Sequence, residues 1–146
     1  MSTQSSSKIS SQTHHEVSKA RSTDIDCFVI GSGPSLTGFD FDRLPLVPRI
    51  GANKSGWLAK CDILVTLDRH FPRKCQAEIE AFEGEVVIAA LPDEQFLDGV
   101  NYVKRERGDG FSESHFTLRG LDSGFAALNL AYLRGYKRIG LLGFDF

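Results

Sequence analysis

Short apolar runs recur along the chain from Asp24 onward, and most of them end at a glycine, a proline or a carboxylate. Their apolar residues are continuous rather than alternating, which is the pattern of strands that are buried on both faces of a sheet. We therefore predict six strands, at residues 26–31, 47–52, 61–68, 85–91, 100–106 and 138–146.

Two segments between these strands have helical spacing. Residues 73–82 carry Cys75, Ile79 and Phe82 on one stripe. Residues 122–136 form the second, in which Asp122 or Ser123 is expected to cap the start and Gly135 to close the end. Its buried stripe is expected at Phe125, Leu128, Ala131 and Tyr132.

The alternation of strands and helices predicts the fold class. It is typical of an α/β domain of Rossmann-like type, with a mostly parallel sheet and helices on both faces. Ligands of such folds bind beyond the carboxyl ends of the strands. Candidate site residues are therefore sought where the predicted strands end.

Residues 1–23 differ from the rest, because they are rich in Ser, Thr, Gln and Lys and almost free of large apolar groups. Such a stretch cannot offset its ordering entropy by burial, so we predict a disordered polar tail followed by one domain over residues 24–146. His14 and His15 in this tail are interpreted as solvated polar residues rather than metal ligands.

Composition narrows the function classes. The 41% apolar and 25% charged residues are typical of a soluble globular protein, and the formal net charge of −2 does not favour nucleic acid or an anionic membrane as a partner. No apolar stretch approaches membrane-spanning length, and the start of the chain lacks a signal-peptide core. Three cysteines without CxxC spacing, of which Cys27 and Cys61 border apolar runs, predict buried thiols and a cytoplasmic location.

The first predicted strand ends in Gly31-Ser32-Gly33, followed by Pro34. The first glycine allows a tight turn, and the second removes a β-carbon so that a ligand can approach the backbone. The alternative is an ordinary strand-to-helix turn, and the residues alone leave both interpretations open.

Two common phosphate-binding motifs are excluded. The dinucleotide fingerprint requires a third glycine where this chain has Leu36, and Pro34 removes an N–H where that motif packs a helix start against phosphate. A Walker A loop requires a glycine where Asn53 stands in residues 51–56.

Two blocks carry a resemblance to a known family. "VIGSGPSLTGFDFDRL" and "LDSGFAALNLAYLRGYKRIGLLGFDF" resemble the nucleotide-binding opening and the Ser-Gly helix with its closing strand in bacterial sialyltransferases of the Campylobacter lipooligosaccharide type. Small phage-encoded proteins carry similar blocks, and archaeal-type pterin pyrophosphokinases resemble the domain more distantly. The resemblance implies a Rossmann-like nucleotide-binding domain.

The same resemblance implies nucleotide contacts from seven residues. Asn53 is also suited to base or ribose recognition, or alternatively to capping its own loop. Asp68 suits a ribose hydroxyl or, equally, a cap for the segment near Phe71. Asp122 stands where the family has Thr and is better explained as an N-cap. The implied nucleotide-binding residues are Gly31, Ser32, Gly33, Asn53, Asp68, Ser123 and Gly124.

Catalytic residues are not assigned by the sequence. The family's base, histidine and phosphate-binding tyrosines lie beyond its Gly-x-Asp-Phe strand, on which this chain ends, so we expect a domain truncated at its carboxyl end. His70 and His115 are interpreted as loop histidines, although either could act as a base.

Three further carboxylates are candidates for hydroxyl or metal binding. Asp145 suits either a hydroxyl-binding carboxylate or a structural cap. Asp40 and Asp42 form a D-x-D pair, but we expect neither a metal nor a cofactor.

Three functions are compatible with these residues and with the resemblance. The first is a glycosyltransferase-like domain that binds a nucleotide or sugar nucleotide, for example a cytidine-linked one. The second is a non-catalytic binding protein encoded by a phage or prophage. The third is a phosphotransferase similar to the pterin pyrophosphokinases.

Overall fold

The structure is a computed structural model that describes residues 24–145. The prediction of a disordered tail, with His14 and His15, lies outside the described residues. Seven parallel strands form one sheet in the order β6-β5-β4-β3-β2-β1-β7, so the predicted mostly parallel α/β architecture is confirmed. The strands are β1 (Cys27–Ile30), β2 (Arg49–Ala52), β3 (Ile63–Thr66), β4 (Glu85–Ala89), β5 (Asn101–Glu106), β6 (Thr117–Arg119) and β7 (Ile139–Leu142).

The order of the strands creates a reversal beside β1. Ile30 pairs with Gly51 of β2 on one side and with Leu142 of β7 on the other. From β1 the chain moves strand by strand to β6, and it then returns through helix α4 (Ser123–Leu133) to β7. The space beyond the carboxyl ends of β1 and β7 is therefore the topological switch point, where ligands of open α/β sheets bind.

Helices cover both faces of the sheet, as predicted. Helix α4 packs across β1, β2 and β3, and residues such as Val65 point toward it. Adjacent residues along a strand point to opposite faces, and Leu64 belongs to the buried cluster on the other face together with Ile79 and Phe71. Three short helices lie on that side: α1 (Ser55–Leu58), α2 (Phe71–Lys74) and α3 (Gln76–Ala81).

The predicted helix at residues 73–82 was wrong in its extent. It is divided at Cys75, whose backbone angles of φ −120° and ψ 32° are not helical, into α2 and α3. Cys75 and Ile79 are buried as predicted. The prediction also missed β6, because its three residues lie between polar loops and only Leu118 is fully buried.

The predicted ends of α4 are confirmed. The Asp122 carboxylate accepts the N–H of Phe125 at 2.8 Å, which is an N-cap. Gly135 has a φ of +85°. Its N–H donates to the carbonyl of Tyr132, and that of Tyr136 donates to Ala131, at 3.0 and 3.2 Å. This pair of bonds is a Schellman closure, which a left-handed glycine permits.

The predicted buried stripe of α4 was partly wrong. Tyr132 is 41% exposed, whereas Ala131 is fully buried. The stripe that faces the sheet is offset by one position, because alanines let the helix approach the strands closely while the larger residues lie at its margins. The buried residues are Ser123, Ala126, Ala127, Asn129, Leu130 and Ala131.

An ion pair joins the end of α4 to the start of β4. Arg134 donates to both carboxylate oxygens of Glu85, at 2.6 and 3.0 Å, and this bonding lowers the pKa of Glu85. A lowered carboxyl pKa stabilises the fold above the pKa of the unfolded chain, and that contribution disappears as the pH falls through the folded pKa.

Glu85→Gln is therefore expected to lower the free energy of unfolding by about 0.5–1 kcal/mol near neutral pH, and this difference is expected to shrink as the pH falls through the folded pKa of Glu85. The value is small because both side chains are 35% exposed and solvent screens the pair. Urea unfolding at several pH values measures this difference in the free energy of unfolding, with the exposed Glu83→Gln as the control. A pH-independent difference would contradict the assignment.

Candidate functional site

The predicted site segments meet at the carboxyl edge of the sheet. The N–H of Gly31 donates to Leu142 at 2.8 Å, which ties the turn after β1 to the end of β7. The Ser55 hydroxyl donates to the carbonyl of Gly31 at 2.6 Å. The Ser123 hydroxyl accepts the N–H of Leu67, after β3, at 2.9 Å. The N–H of Asn53, after β2, donates to the carbonyl of Val65 in β3 at 3.0 Å, so the ends of four strands and the start of α4 are joined by direct hydrogen bonds.

The glycines after β1 are required by the end of β7. A β-carbon at Gly31 would lie 2.7 Å from the carbonyl oxygen of Gly143. A β-carbon at Gly33 would lie 2.6 Å from both that oxygen and Cγ of Asp145. Real β-carbons do not approach other atoms so closely. The close approach that the sequence indicated is thus made by the chain's own backbone and carboxylate.

Asp145 acts as a structural cap. Its carboxylate accepts the N–H of Ser35 at 2.7 Å and the hydroxyl of Ser35 at 2.6 Å. The hydroxyl bond, followed by the backbone bond, lowers the pKa of Asp145. The carboxylate therefore remains ionised over the first turn of the short 3-10 helix Pro34–Leu36.

The ring of Phe144 lies between the glycine turn and the start of α4. Its Cδ1 lies 3.4 Å from the position of a β-carbon on Gly31, and its Cε2 lies 3.0 Å from that on Gly124. Cδ1 and Cε2 are opposite corners of the phenyl ring. Gly31 and Gly124 therefore face each other across one aromatic ring, which sequence reasoning did not single out.

Asn53 is the residue of this edge with an unsatisfied side chain. Its backbone has a left-handed φ of +55°, which asparagine tolerates better than most residues. The Oδ1 atom is buried and has no hydrogen-bonding partner in the part of the chain that the structure describes. Leaving such an atom unpaired costs about 1–3 kcal/mol, which a donor from a bound molecule would recover.

Asp68 and Ser123 are already engaged in the fold. The Asp68 carboxylate is exposed and accepts the N–H of His70 at 2.9 Å, within the turn that precedes α2; the helix itself begins at Phe71 without a side-chain cap, so Asp68 is not the predicted helix cap. The Ser123 hydroxyl is used by Leu67. The N–H groups of Ser123 and Gly124, by contrast, have no partner among residues 24–145. A negative group is favoured at such a position.

The D-x-D pair is engaged within the fold. The Asp40 carboxylate accepts the N–H of Asp42 at 3.0 Å, and Asp42 pairs with Lys60 at 2.8 Å. The sequence suggests no other metal motif, and among the described residues no three His, Cys, Asp or Glu side chains are grouped to bind a metal.

The two histidines of the domain lie at different edges. His70 is exposed directly after the Asp68 turn, at the carboxyl edge. His115 lies in the loop before β6 and lines a cavity with Tyr132 and Gly135, at the other end of α4. Only His70 is therefore near the candidate site.

The cysteines are buried free thiols, as predicted. Burial raises the pKa of both Cys27 and Cys61 to about 12. A thiol with so high a pKa is a poor nucleophile, because the thiolate is the reactive form.

A cavity of about 700 Å³ lies beside the start of α4, at the carboxyl ends of β5 and β6. Sequence reasoning missed it, although Arg105 and Arg107, which flank Glu106 at the end of β5, are a signal that could have indicated it. Its lining comprises residues 105–110, residues 120–122 and Phe125. A volume of this size suits a small molecule.

Comparisons of the chain with protein-family models, with curated proteins and with solved structures gave no match. Among residues 24–145, no helix combines the length and the apolar character needed to cross a membrane. The site must therefore be interpreted from its own geometry.

Proposed function

We propose that the chain is a nucleotide-binding or sugar-nucleotide-binding domain of a glycosyltransferase-like, sialyltransferase-like protein. The observation that carries the proposal is the unpartnered Oδ1 of Asn53 at the switch-point edge that also holds the turn at Gly31 and the bare amides of Ser123 and Gly124. A nucleotide offers both a phosphate for the amides and donors for the amide oxygen.

In this proposal each group has one role. The N–H groups of Ser123 and Gly124 bind a phosphate oxygen, and Oδ1 of Asn53 accepts a hydrogen bond from the base or ribose. The Asp68 oxygen that does not bond to His70 accepts a ribose hydroxyl. The exposed Ser32 contributes its hydroxyl at the turn. The proposal concerns binding and assigns no catalytic residue; His70 is the histidine that the described residues place at this edge.

A thermal-shift series with CMP, a CMP-sugar, a UDP-sugar, ATP and a pterin tests the proposal. Cytidine compounds are expected to raise the melting temperature, since a ligand at about 100 times its Kd adds ~2.7 kcal/mol of stability. Stabilisation by ATP with pterin would instead favour a pterin pyrophosphokinase-like function. Absence of any shift would overturn nucleotide binding.

Asn53→Gly is expected to weaken cytidine nucleotide binding about five- to tenfold, which corresponds to the loss of one hydrogen bond. Glycine tolerates the left-handed backbone and removes the unsatisfied oxygen, so the variant should be at least as stable as the wild type. Calorimetric titration measures the affinity, with the exposed Asn101→Gly as control. Equal affinity for Asn53→Gly and wild type would remove Asn53 from the site.

A further inference from the structure

The cavity beside β5 and β6 is separate from the Asn53 edge. Its volume is about 700 Å³, and its walls are the segments 105–110 and 120–122. Phe125, on the first turns of α4, forms a third wall and packs against Phe111 with ring centroids 5.3 Å apart. None of the seven predicted nucleotide-binding residues lines it.

Two guanidinium groups line this cavity. Arg105 donates through Nη2 to the carbonyls of Gly120 and Leu121, at 3.0 and 3.2 Å, which fixes it against one wall. Its other N–H groups have no partner among the described residues. Arg107 is exposed and has no hydrogen-bonding or ionic partner within residues 24–145. Guanidinium groups with free N–H groups bind oxyanions through charge-assisted hydrogen bonds.

A third arginine lies behind the cavity wall. Arg119 pairs with Glu106 at 3.1 Å and donates to the carbonyl of Asp109 at 2.7 Å. Its Nε is buried without a partner in the described chain. A β-carbon at Gly108 would lie 3.3 Å from this Nε, so the guanidinium of Arg119 lies directly behind the backbone of Gly108.

The carboxylates of the lining are mostly engaged. Glu106 is compensated by Arg119, and Asp122 caps α4 by accepting the N–H of Phe125. Asp109 is exposed, and its carboxylate has no partner in the described residues. The cavity therefore presents the cations of Arg105 and Arg107, the carboxylates of Asp109 and Asp122 without a cationic partner among the described residues, and an apolar wall that includes Leu121, which is 96% exposed.

We propose that this cavity binds a second small molecule, a phosphate ester of a ring-bearing or apolar group. Arg105 and Arg107 bind the phosphate, and Phe125 with Leu121 contacts the ring. The inference does not require the nucleotide site, because it rests on a different set of residues. Where both sites are occupied, the start of α4 lies between the two ligands.

Phenyl phosphate is the probe, because it combines an aromatic ring with a phosphate and nothing else. At low ionic strength it is expected to shift the backbone NMR signals of residues 105–110 and 120–125. Inorganic phosphate should bind more weakly than phenyl phosphate, because it lacks the ring. Benzoate should also bind more weakly, because its carboxylate carries less charge and fewer oxygens than the phosphate. Signal shifts confined to other parts of the chain would overturn the proposal.

Three variants of the full chain sharpen the test. Arg107→Gln should lower the affinity for phenyl phosphate about tenfold, through the loss of a charge-assisted hydrogen bond. Asp109→Asn should raise that affinity about two- to threefold, because it removes a negative charge that repels the phosphate. Lys104→Gln is the control, since it removes the same charge from the neighbouring strand position, which faces the other way.

The result that would overturn the proposal is equal weakening by Arg107→Gln and Lys104→Gln, which would indicate only a general effect of charge. Failure here is distinguishable from failure of the proposed function. Asn53→Gly should lower the affinity for the nucleotide and leave that for phenyl phosphate unchanged. Arg107→Gln should lower the affinity for phenyl phosphate and leave that for the nucleotide unchanged.

Discussion

Replacing Asn129 with leucine is expected to lower the free energy of unfolding by about 3–5 kcal/mol, because three buried polar groups would lose their partner. Asn129 is fully buried in α4. Its Oδ1 accepts the N–H groups of Ser112 and Arg119, at 3.0 and 2.9 Å, and its Nδ2 donates to the carbonyl of Ser112 at 3.2 Å. Leucine has a similar volume, so the loss would reflect hydrogen bonding rather than an empty space.

Urea unfolding measures this effect, and the control is Asn101→Leu, an exposed position on β5 with a single bond of 3.4 Å to Glu85. That control should change the stability by less than about 0.5 kcal/mol. A comparably small change for Asn129→Leu would contradict the role assigned to Asn129. An intact fold with a large loss would confirm that α4 holds the loop between β5 and β6 through this one amide.

The loop that Asn129 holds also forms part of the wall of the arginine-lined cavity. Ser112, which is buried, lies just beyond the residues 108–110 that line it. Weaker binding of phenyl phosphate by Asn129→Leu is therefore expected even where the protein remains folded. The loss would be indirect, so Arg107→Gln remains the direct test.

The sequence predicts the sheet well for a physical reason. Runs such as Cys27–Ile30 and Ile63–Thr66 are buried along their whole length, and a continuous apolar run is the direct signature of that environment. The buried side of helix α4 is harder to predict, because the helix is apolar on nearly all sides. Its sequence locates the helix and its caps, but does not indicate which stripe faces the strands.

The candidate site is predicted in part. Carboxyl ends of parallel strands share one edge, so the sequence predicts that residues such as Gly31, Asn53 and Ser123 lie there, and they do. What approaches the glycines could not be predicted, since the partner of the turn is distant in sequence. Ser35 and Asp145, which lock that contact, are separated by 110 positions.

The engaged carboxylate of Asp145 changes the interpretation of the glycine turn. A Gly-x-Gly turn in an α/β protein is usually explained by the approach of a ligand phosphate. Here an anionic group is already present over the turn, and it belongs to the chain. The two interpretations left open by the sequence therefore make different predictions for the ligand-free protein.

Gly31→Ala is expected to lower the free energy of unfolding of the ligand-free protein by about 2–3 kcal/mol, because the new β-carbon would overlap a rigid backbone carbonyl. The carbonyl is that of Gly143, 2.7 Å away. Gly143 cannot easily move, since its φ of +72° fixes the end of β7 and its oxygen accepts the N–H of Gly33 at 2.8 Å. Thermal and urea unfolding without added nucleotide measure the effect.

Ser32→Ala is the matched control, because it alters the same turn at an exposed residue that already has a β-carbon. Its stability should stay within about 0.5 kcal/mol of the wild type. If the glycines served only a ligand, Gly31→Ala would be as stable as the wild type and would lose nucleotide affinity alone. A large loss of stability without ligand would instead show that the end of β7 requires Gly31, and nucleotide affinity would then have to be tested at Asn53.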